Sequence, residues 1–462
     1  MRCEPAKRGR RRDNATVLFA QFVDDDLGCA SYLIGDEHAG EALVVDPAYA
    51  IEQYLADAER RDVRLTRVLE THTHADHLSG HGRLALEQGL PVAIHSAADP
   101  AYPYEPLADG DEFRVGEVSV HVLHTPGHRP EHCCFAVADR SRAAEPWLVL
   151  TGDSLLVGDA ARPDLAVGAR EGAEGLFHSL HRLIELGDGV EVYPGHVAGS
   201  LCGAGMSAKA SSTIGFERRF NRALGFSEIV DFIEESARAT AVPRPPNMER
   251  IVELNRGPFV GARPALTRVE SPGESTLVDV RAAADFAAGH RPGAINIPLG
   301  SGFPAKAGFV LDPAEPVVLA ASSEEDAQRA ARGLYSVALF RVEGWVTPAA
   351  GGERLEPVTL AELERLLAGG NVELVDVREA DERDEGYIPG SVHIPYRRIR
   401  AVADELGGNG TVVTICEGGT RASTAASILA AAGIDARPVL DRGVSAWRAR
   451  GNECVEFRRC GS

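Results

Sequence analysis

The chain has 462 residues, 44% of them hydrophobic and 25% charged, with a formal net charge of −20. That length is more than one core sustains, so two to four ordinary globular domains are expected. The acidic balance argues against nucleic acid as a partner, because a phosphate backbone would be repelled, and no run of about 18 apolar residues is available to span a membrane.

Residues 1–14 hold the basic run KRGRRR at 7–12 with no apolar run behind it, so they are expected to be a disordered tail rather than a signal peptide or anchor. The eight cysteines, Cys3, Cys29, Cys133, Cys134, Cys202, Cys416, Cys454 and Cys460, show no framework spacing. They read as reduced thiols of a cytoplasmic protein.

From 15 to about 250, β-rich runs alternate with turns and helical stretches. The runs ALVVDPA (42–48), RVLETHTHADH (67–77), VSVHVLHTPGH (118–128) and WLVLTGDSLL (147–156) each lead into His or Asp. An α/β sandwich places a site in that way, on loops at strand ends. The polar cluster is His72, His74, Asp76 and His77, then His128, Asp153 and His196. Three imidazoles and a carboxylate within six residues is a metal-ligand density. Glycines in TPGH, TGDS and YPGH let the backbone turn and aim the later members inward. Helical stretches FERRFNRAL and EIVDFIEESARA follow, then a Pro-rich break at 242–247, and GPFVGARPALTRVESPGEST (257–276) reads as a linker.

The remainder is a repeat. LVDVRAAADFAAGHRPGAINIPLG (277–300) matches LVDVREADERDEGYIPGSVHIPYR (374–397) at an offset of 97 residues, which means two copies of one small parallel α/β domain, at 265–352 and 357–460. In the second copy, TVVTICEGGTRAS (411–423) ends a strand at Cys416. Glu417, Gly418, Gly419 and Thr420 then curve round to Arg421. Such a loop, with N–H groups turned inward and an arginine close by, is expected to stabilise negative charge on sulfur and activate the thiol. The first copy has Ala321 where the second has Cys416, and alanine forms no thiolate.

The His/Asp cluster resembles the metallo-β-lactamase superfamily, over about 15–240, which implies an αββα sandwich with the metal at one edge. Two branches are similar: glyoxalase II, a thioester hydrolase with two metals, and the persulfide dioxygenases, with one iron. The dioxygenase resemblance implies Fe(II), one per chain and with no organic cofactor, held by His72, His128 and Asp153. His74, Asp76, His77 and His196 would then be supporting groups or a second metal site. GDAARPDLAVG (158–168), LGCASYLIGD (27–36) and STIGFERRFN (212–221) look like the same branch, and the first implies Arg162 and Asp164 near the substrate. RPEHCCF (129–135) departs from the usual wording after the metal histidine. Cys202, six residues after His196 in a Gly- and Ser-rich loop, is a candidate relay for sulfane sulfur.

The segment at 357–460 resembles a rhodanese domain through DVRE, GYIPGSVHIP and DRGVSAW, and the first copy resembles the same fold without its chemistry. The expected function is oxidation of a low-molecular-weight persulfide by O₂ to sulfite, coupled to sulfane-sulfur transfer through Cys416 in sulfide detoxification. The partners expected are persulfide, O₂ and sulfite or thiosulfate, with neither nucleic acid nor membrane, and a homo-oligomer is anticipated. The alternatives are a two-metal thioester hydrolase and a non-enzymatic sulfur carrier.

Overall fold

A computed structural model describes residues 17–163, 166–197, 207, 209–239, 244–348, 352–370, 372–408 and 410–456. The chain divides into two compact units, Met1–Arg244 with Met248–Ala262, and Pro245–Asn247 with Arg263–Ser462.

The first unit is built on two six-stranded sheets. One runs in chain order: β1 (Val17–Val23), β2 (Ala30–Asp36), β3 (Glu41–Val45), β4 (Arg64–Leu69), β5 (Val92–His95) and β6 (Glu105–Leu107). It is antiparallel from β1 to β3 and parallel from β3 to β6. The next strands are β7 (Glu112–Val115), β8 (Val118–His124), β9 (Cys133–Asp139) and β10 (Leu148–Gly152). A short hairpin of β11 (Leu155–Leu156) and β12 (Asp159–Ala160) precedes β13 (Glu191–Pro194) and β14 (Ser212–Thr213). The second large sheet has the order β14-β13-β10-β9-β8-β7.

Alternate residues of both sheets, among them Leu43, Val45, Val120, Val122, Phe135 and Leu150, meet in one buried layer. The outer face of the first sheet packs on helices Glu52–Arg61 and His81–Gln88, and that of the second on Ala169–Ile184 and Ile229–Ala239. The result is the four-layer αββα arrangement that the resemblance implied. Strands buried on both faces, such as ASYLIGD and LVVD, read as continuous apolar runs for that reason.

This unit continues past 250. Helix Met248–Asn255 belongs to it, and so does the start of the segment read as a linker. Phe259 stacks on Tyr102 with ring centroids 4.5 Å apart, and the Tyr49 hydroxyl donates to the Gly261 carbonyl at 2.8 Å. A linker reading followed from Gly and Pro content. Partial burial of one aromatic ring against the core overrode it.

In the second unit the copies have the same topology. β15 (Thr276–Asp279), β16 (Ile295–Asn296), β17 (Val317–Ala320) and β18 (Val342–Val346) form a parallel sheet of order β16-β15-β17-β18. β19 (Val372–Asp376), β20 (Val392–His393), β21 (Thr411–Ile415) and β22 (Ala436–Pro438) form one of order β20-β19-β21-β22, also parallel. Helix Thr420–Ala431 is buried on nearly every side, with its own sheet against one face and β16 of the first copy near another. Among the described residues no helix is long and apolar enough to cross a membrane.

Candidate metal centre and sulfur loop

The loops that follow β4, β8, β10 and β13 converge at one edge of the two sheets. They bring together His72, His128 and Asp153, whose ligand atoms all lie within 4.8 Å of one another and which are all buried. Asp153 Oδ2 lies 3.6 Å from His128 Nε2 and 3.9 Å from His72 Nε2. Both imidazoles are oriented from behind. His128 Nδ1 donates to the Arg162 carbonyl at 2.9 Å. His72 Nδ1 lies 2.9 Å from Thr71 Oγ1, and that hydroxyl donates to Asp46 Oδ2 at 2.7 Å. Thr71 therefore accepts from His72, which leaves each Nε2 lone pair facing Asp153.

Asp153 Oδ2 is a buried oxygen without a hydrogen-bond partner. A buried carboxylate oxygen left alone is costly, and a cation between it and two neutral imidazoles removes the cost. Burial and the neighbouring His74 and His128 hold the His72 imidazole well below its ordinary range, and burial lowers His128 as well. Burial pushes the Asp153 carboxyl up, but the charge and hydrogen bond of His196 outweigh it and keep it ionised. The donor set suits a divalent metal.

Around this triad stands a shell the sequence only partly revealed. Burial pushes His132 down to about 3, so it stays neutral and its Nε2 accepts the Asp153 backbone N–H at 3.0 Å. Asp46 takes the left-handed conformation (φ 47°), unusual for a residue other than glycine, while holding the Thr71 N–H and hydroxyl. Gly152 (φ 47°) has no room for a side chain: a Cβ would lie 2.7 Å from His132 Nε2 and from Thr71 Oγ1. At Gly195 a Cβ would come within 2.8 Å of Asp153 Oδ1. Asn255, far along the chain, donates to the His74 and His77 carbonyls at 2.9 and 2.8 Å and so closes the HTHADH loop.

The other histidines of the cluster are paired only in part: Nδ1 of His74 and Nε2 of His77 are buried without a hydrogen-bond partner. His74 Nε2 lies 3.2 Å from Glu70 Oε2 and 3.5 Å from Asp46 Oδ1. Burial opposes its charge, but those two carboxylates outweigh burial and hold the imidazole protonated, well above the ordinary range. Glu70 also accepts from Ser79 Oγ and His81 Nδ1. His196 bridges two carboxylates, with Nδ1 2.6 Å from Asp153 Oδ1 and Nε2 2.7 Å from Asp76 Oδ2. His77 Nδ1 lies 3.1 Å from Asp76 Oδ1. His74, Asp76 and His77 do present ligand atoms within 4.8 Å of one another. Arg162 is buried beside the triad through its carbonyl, whereas Asp164, Cys202 and the tail at 1–14 lie outside the described residues. Cys29, Cys133 and Cys134 are buried thiols, and burial pushes Cys134 up to about 12, which leaves it unreactive.

In the second unit β21 delivers Cys416 into a loop closed by Gly419 (φ 83°), whose backbone N–H donates to Cys416 Sγ at 3.1 Å. Helix Thr420–Ala431 starts there, so its positive end faces the sulfur. Arg421 is held by Glu382 through two bonds, Nη2 to Oε1 at 2.6 Å and Nη1 to Oε2 at 2.5 Å, and its charge is thereby shared. Glu417 turns outward to the Ser445 N–H. Gly418 and Thr420 complete the bend. Behind the loop, Arg378 clamps Asp376 at 2.7 Å, and Arg281 clamps Asp279 at 2.6 Å in the first copy.

Metal triad and paired parallel domains define a class. The metallo-beta-lactamase superfamily model matches residues 24–196, and the rhodanese-like domain model matches 265–347 and 359–450. The chain belongs to the metallo-beta-lactamase superfamily and carries two rhodanese-like domains after that fold. Among its relatives is the mitochondrial persulfide dioxygenase ETHE1 of Homo sapiens, 32% identical over 192 residues that cover 40% of this chain and 71% of the relative. The Bos taurus protein of the same name is 29% identical over 244 residues, 52% of this chain and 88% of the relative. A solved metallo-beta-lactamase structure from Staphylococcus aureus subsp. aureus COL superposes with a TM-score of 0.66 at 28% identity, covering 73% of this chain and 100% of that one.

Proposed function

We propose that the chain oxidises a low-molecular-weight persulfide with O₂ and exchanges sulfane sulfur through Cys416, in cytoplasmic sulfide detoxification and as a homo-oligomer. The observation that carries the first half is the lone Asp153 Oδ2 facing the Nε2 atoms of two buried imidazoles, His72 and His128. A ferrous ion bound by His72, His128 and Asp153 would supply open positions and the redox chemistry for dioxygen. The chain's own residues hold the ligands still: Thr71 and Asp46 fix His72, the Arg162 carbonyl fixes His128, and His132 and His196 fix Asp153. The overall change balances as RSSH + O₂ + H₂O giving RSH, sulfite and two protons. The persulfide dioxygenases among its relatives support this reading.

In the second half Cys416, as thiolate, attacks the sulfane sulfur of thiosulfate. The S–S bond breaks, sulfite leaves with the electron pair, and Cys416 retains a persulfide. The Gly419 N–H and the helix start stabilise the charge on sulfur, and Arg421 with Gly418 and Thr420 would receive the anion. Run backwards, sulfite made at the metal takes that sulfur and leaves as thiosulfate. Asp164 and Cys202 keep their proposed places as a substrate contact and a sulfur relay.

A second reading has its own observation: His74, Asp76 and His77 could converge on another cation, as a two-metal thioester hydrolase requires. Protein purified without air and supplied with glutathione persulfide should consume oxygen and release sulfite. Thioester cleavage without oxygen uptake supports the hydrolase instead.

A further inference from the structure

The loop after His128 contains a charge pair with no task so far. Arg129 and Glu131 are both nearly wholly buried. Arg129 Nε donates to Glu131 Oε1 at 2.6 Å, and the same oxygen accepts the Thr73 backbone N–H at 3.2 Å. Thr73 stands between His72 and His74, so the pair sits where the two ligand-bearing loops meet. Buried ion pairs are seldom kept for stability alone, because desolvation consumes what the pairing gains.

The guanidinium is only half used. Among the described residues its Nη groups have no hydrogen-bond partner, and neither is a sealed-off buried atom. A planar guanidinium anchored at Nε and open at the Nη edge is a fork for an anion. The segment RPEHCCF, which departs from the pattern around the metal histidine, supplies both members of the pair.

We propose that Arg129 is the anion-recognising residue of the metal site. Its open Nη edge binds the anionic sulfur end of the persulfide and the oxygens of the departing sulfite, while Glu131 fixes the guanidinium in that aspect. This rests on the persulfide reading. Substrate selection would then follow charge at the sulfur terminus rather than the identity of the carrier thiol.

Sulfite titrated into the metal-loaded full chain by calorimetry tests it. Arg129→Gln should weaken sulfite binding about 10- to 100-fold, and Arg129→Lys should restore part of it. Glu131→Gln removes a negative charge but keeps the guanidinium, so sulfite should bind at least as tightly as in the wild type. Equal sulfite affinity in wild type and Arg129→Gln overturns the proposal. So does a loss in Glu131→Gln as large as that in Arg129→Gln, the signature of a purely structural pair. If Arg129→Gln does not fold, the opposite responses of Arg129→Lys and Glu131→Gln carry the test. In parallel, persulfide-dependent oxygen uptake should show KM raised and kcat little changed in Arg129→Gln. Sulfite binding that depends on Arg129 in a protein that takes up no oxygen refutes the oxidation and keeps the anion site.

Discussion

The two rhodanese-like copies share a sheet order, a buried Asp–Arg clamp and a helix after the central strand, yet they treat the junction of that strand and helix in opposite ways. In the second copy Cys416 follows directly on β21, and the helix brings Arg421 into its first turn. In the first, Ala321, fully buried, follows directly on β17, and Ser323 caps a helix whose first turn carries Glu324, Glu325 and Asp326. Since 416 − 321 is 95, the position matching Arg421 is 326, an aspartate. One helix start is left positive for an anion; the other is neutralised by its own side chains. Loss of the cysteine is thus only half of the difference.

What the first copy does keep is contact with the second. Asn296 on β16 is fully buried. Its backbone N–H donates to Ser427 Oγ at 2.8 Å, and its Oδ1 accepts from Ser423 Oγ at 2.6 Å. Both serines lie on the helix that begins beside Cys416. Nδ2 of the same asparagine donates to the Asp279 and Arg281 carbonyls. Arg400 adds two hydrogen bonds to Glu315 at 2.7 and 2.8 Å. The first copy thus holds the helix that begins beside Cys416 through buried hydrogen bonds.

The contrast can be broken at several points. Cys416→Ser should reduce sulfur transfer from thiosulfate to cyanide to the uncatalysed level, read as thiocyanate formed. Arg421→Gln should lower kcat/KM for thiosulfate in the same assay by about 10- to 100-fold, the worth of a charge-assisted hydrogen bond. Asn296→Ala should cost the second unit about 2 kcal/mol in urea unfolding, because the buried Ser423 hydroxyl and the Asp279 and Arg281 carbonyls lose their side-chain partner, and should leave metal content alone. Glu382 sharpens the comparison through pH. Burial pushes its carboxyl up, but Arg421 outweighs that and holds it below the ordinary value. A depressed carboxylate contributes stability above its unfolded value, and that contribution is lost as pH falls through the folded one. Glu382→Gln should therefore flatten the acid side of the second unit's stability curve, by under about 1 kcal/mol for a partly exposed pair. Smallest of all, Ala321→Cys should gain no persulfide on thiosulfate treatment, checked by mass of the peptide, because Asp326 repels the anion.

Much of this was legible in the letters. The HTHADH run, the later TPGH, TGDS and YPGH turns and the DVR repeat are local, and local chemistry is what a sequence displays. Ala321 against Cys416 could be read from alignment of the copies alone. Other parts were hidden because they depend on folding across distance. Asn255 reaches the HTHADH loop from a helix some 180 residues away, at a sequence separation of 181 for its bond to His74. Phe259 was masked by glycine and proline neighbours. His132 was visible as a letter, but its role depends on a hydrogen bond to the backbone of Asp153 that no spacing announces. Asp46 gave a faint signal as the acid ending an apolar strand run. Glu70 gave none until burial placed it beside His74.

The proposed chemistry needs one cation per chain, held by His72, His128 and Asp153 and by no second set. Metal analysis of the anaerobically purified wild type beside His128→Ala and His74→Ala addresses that directly. One iron in the wild type, none in His128→Ala and one in His74→Ala is the predicted result; two zinc ions in the wild type, with one lost in His74→Ala, would contradict it.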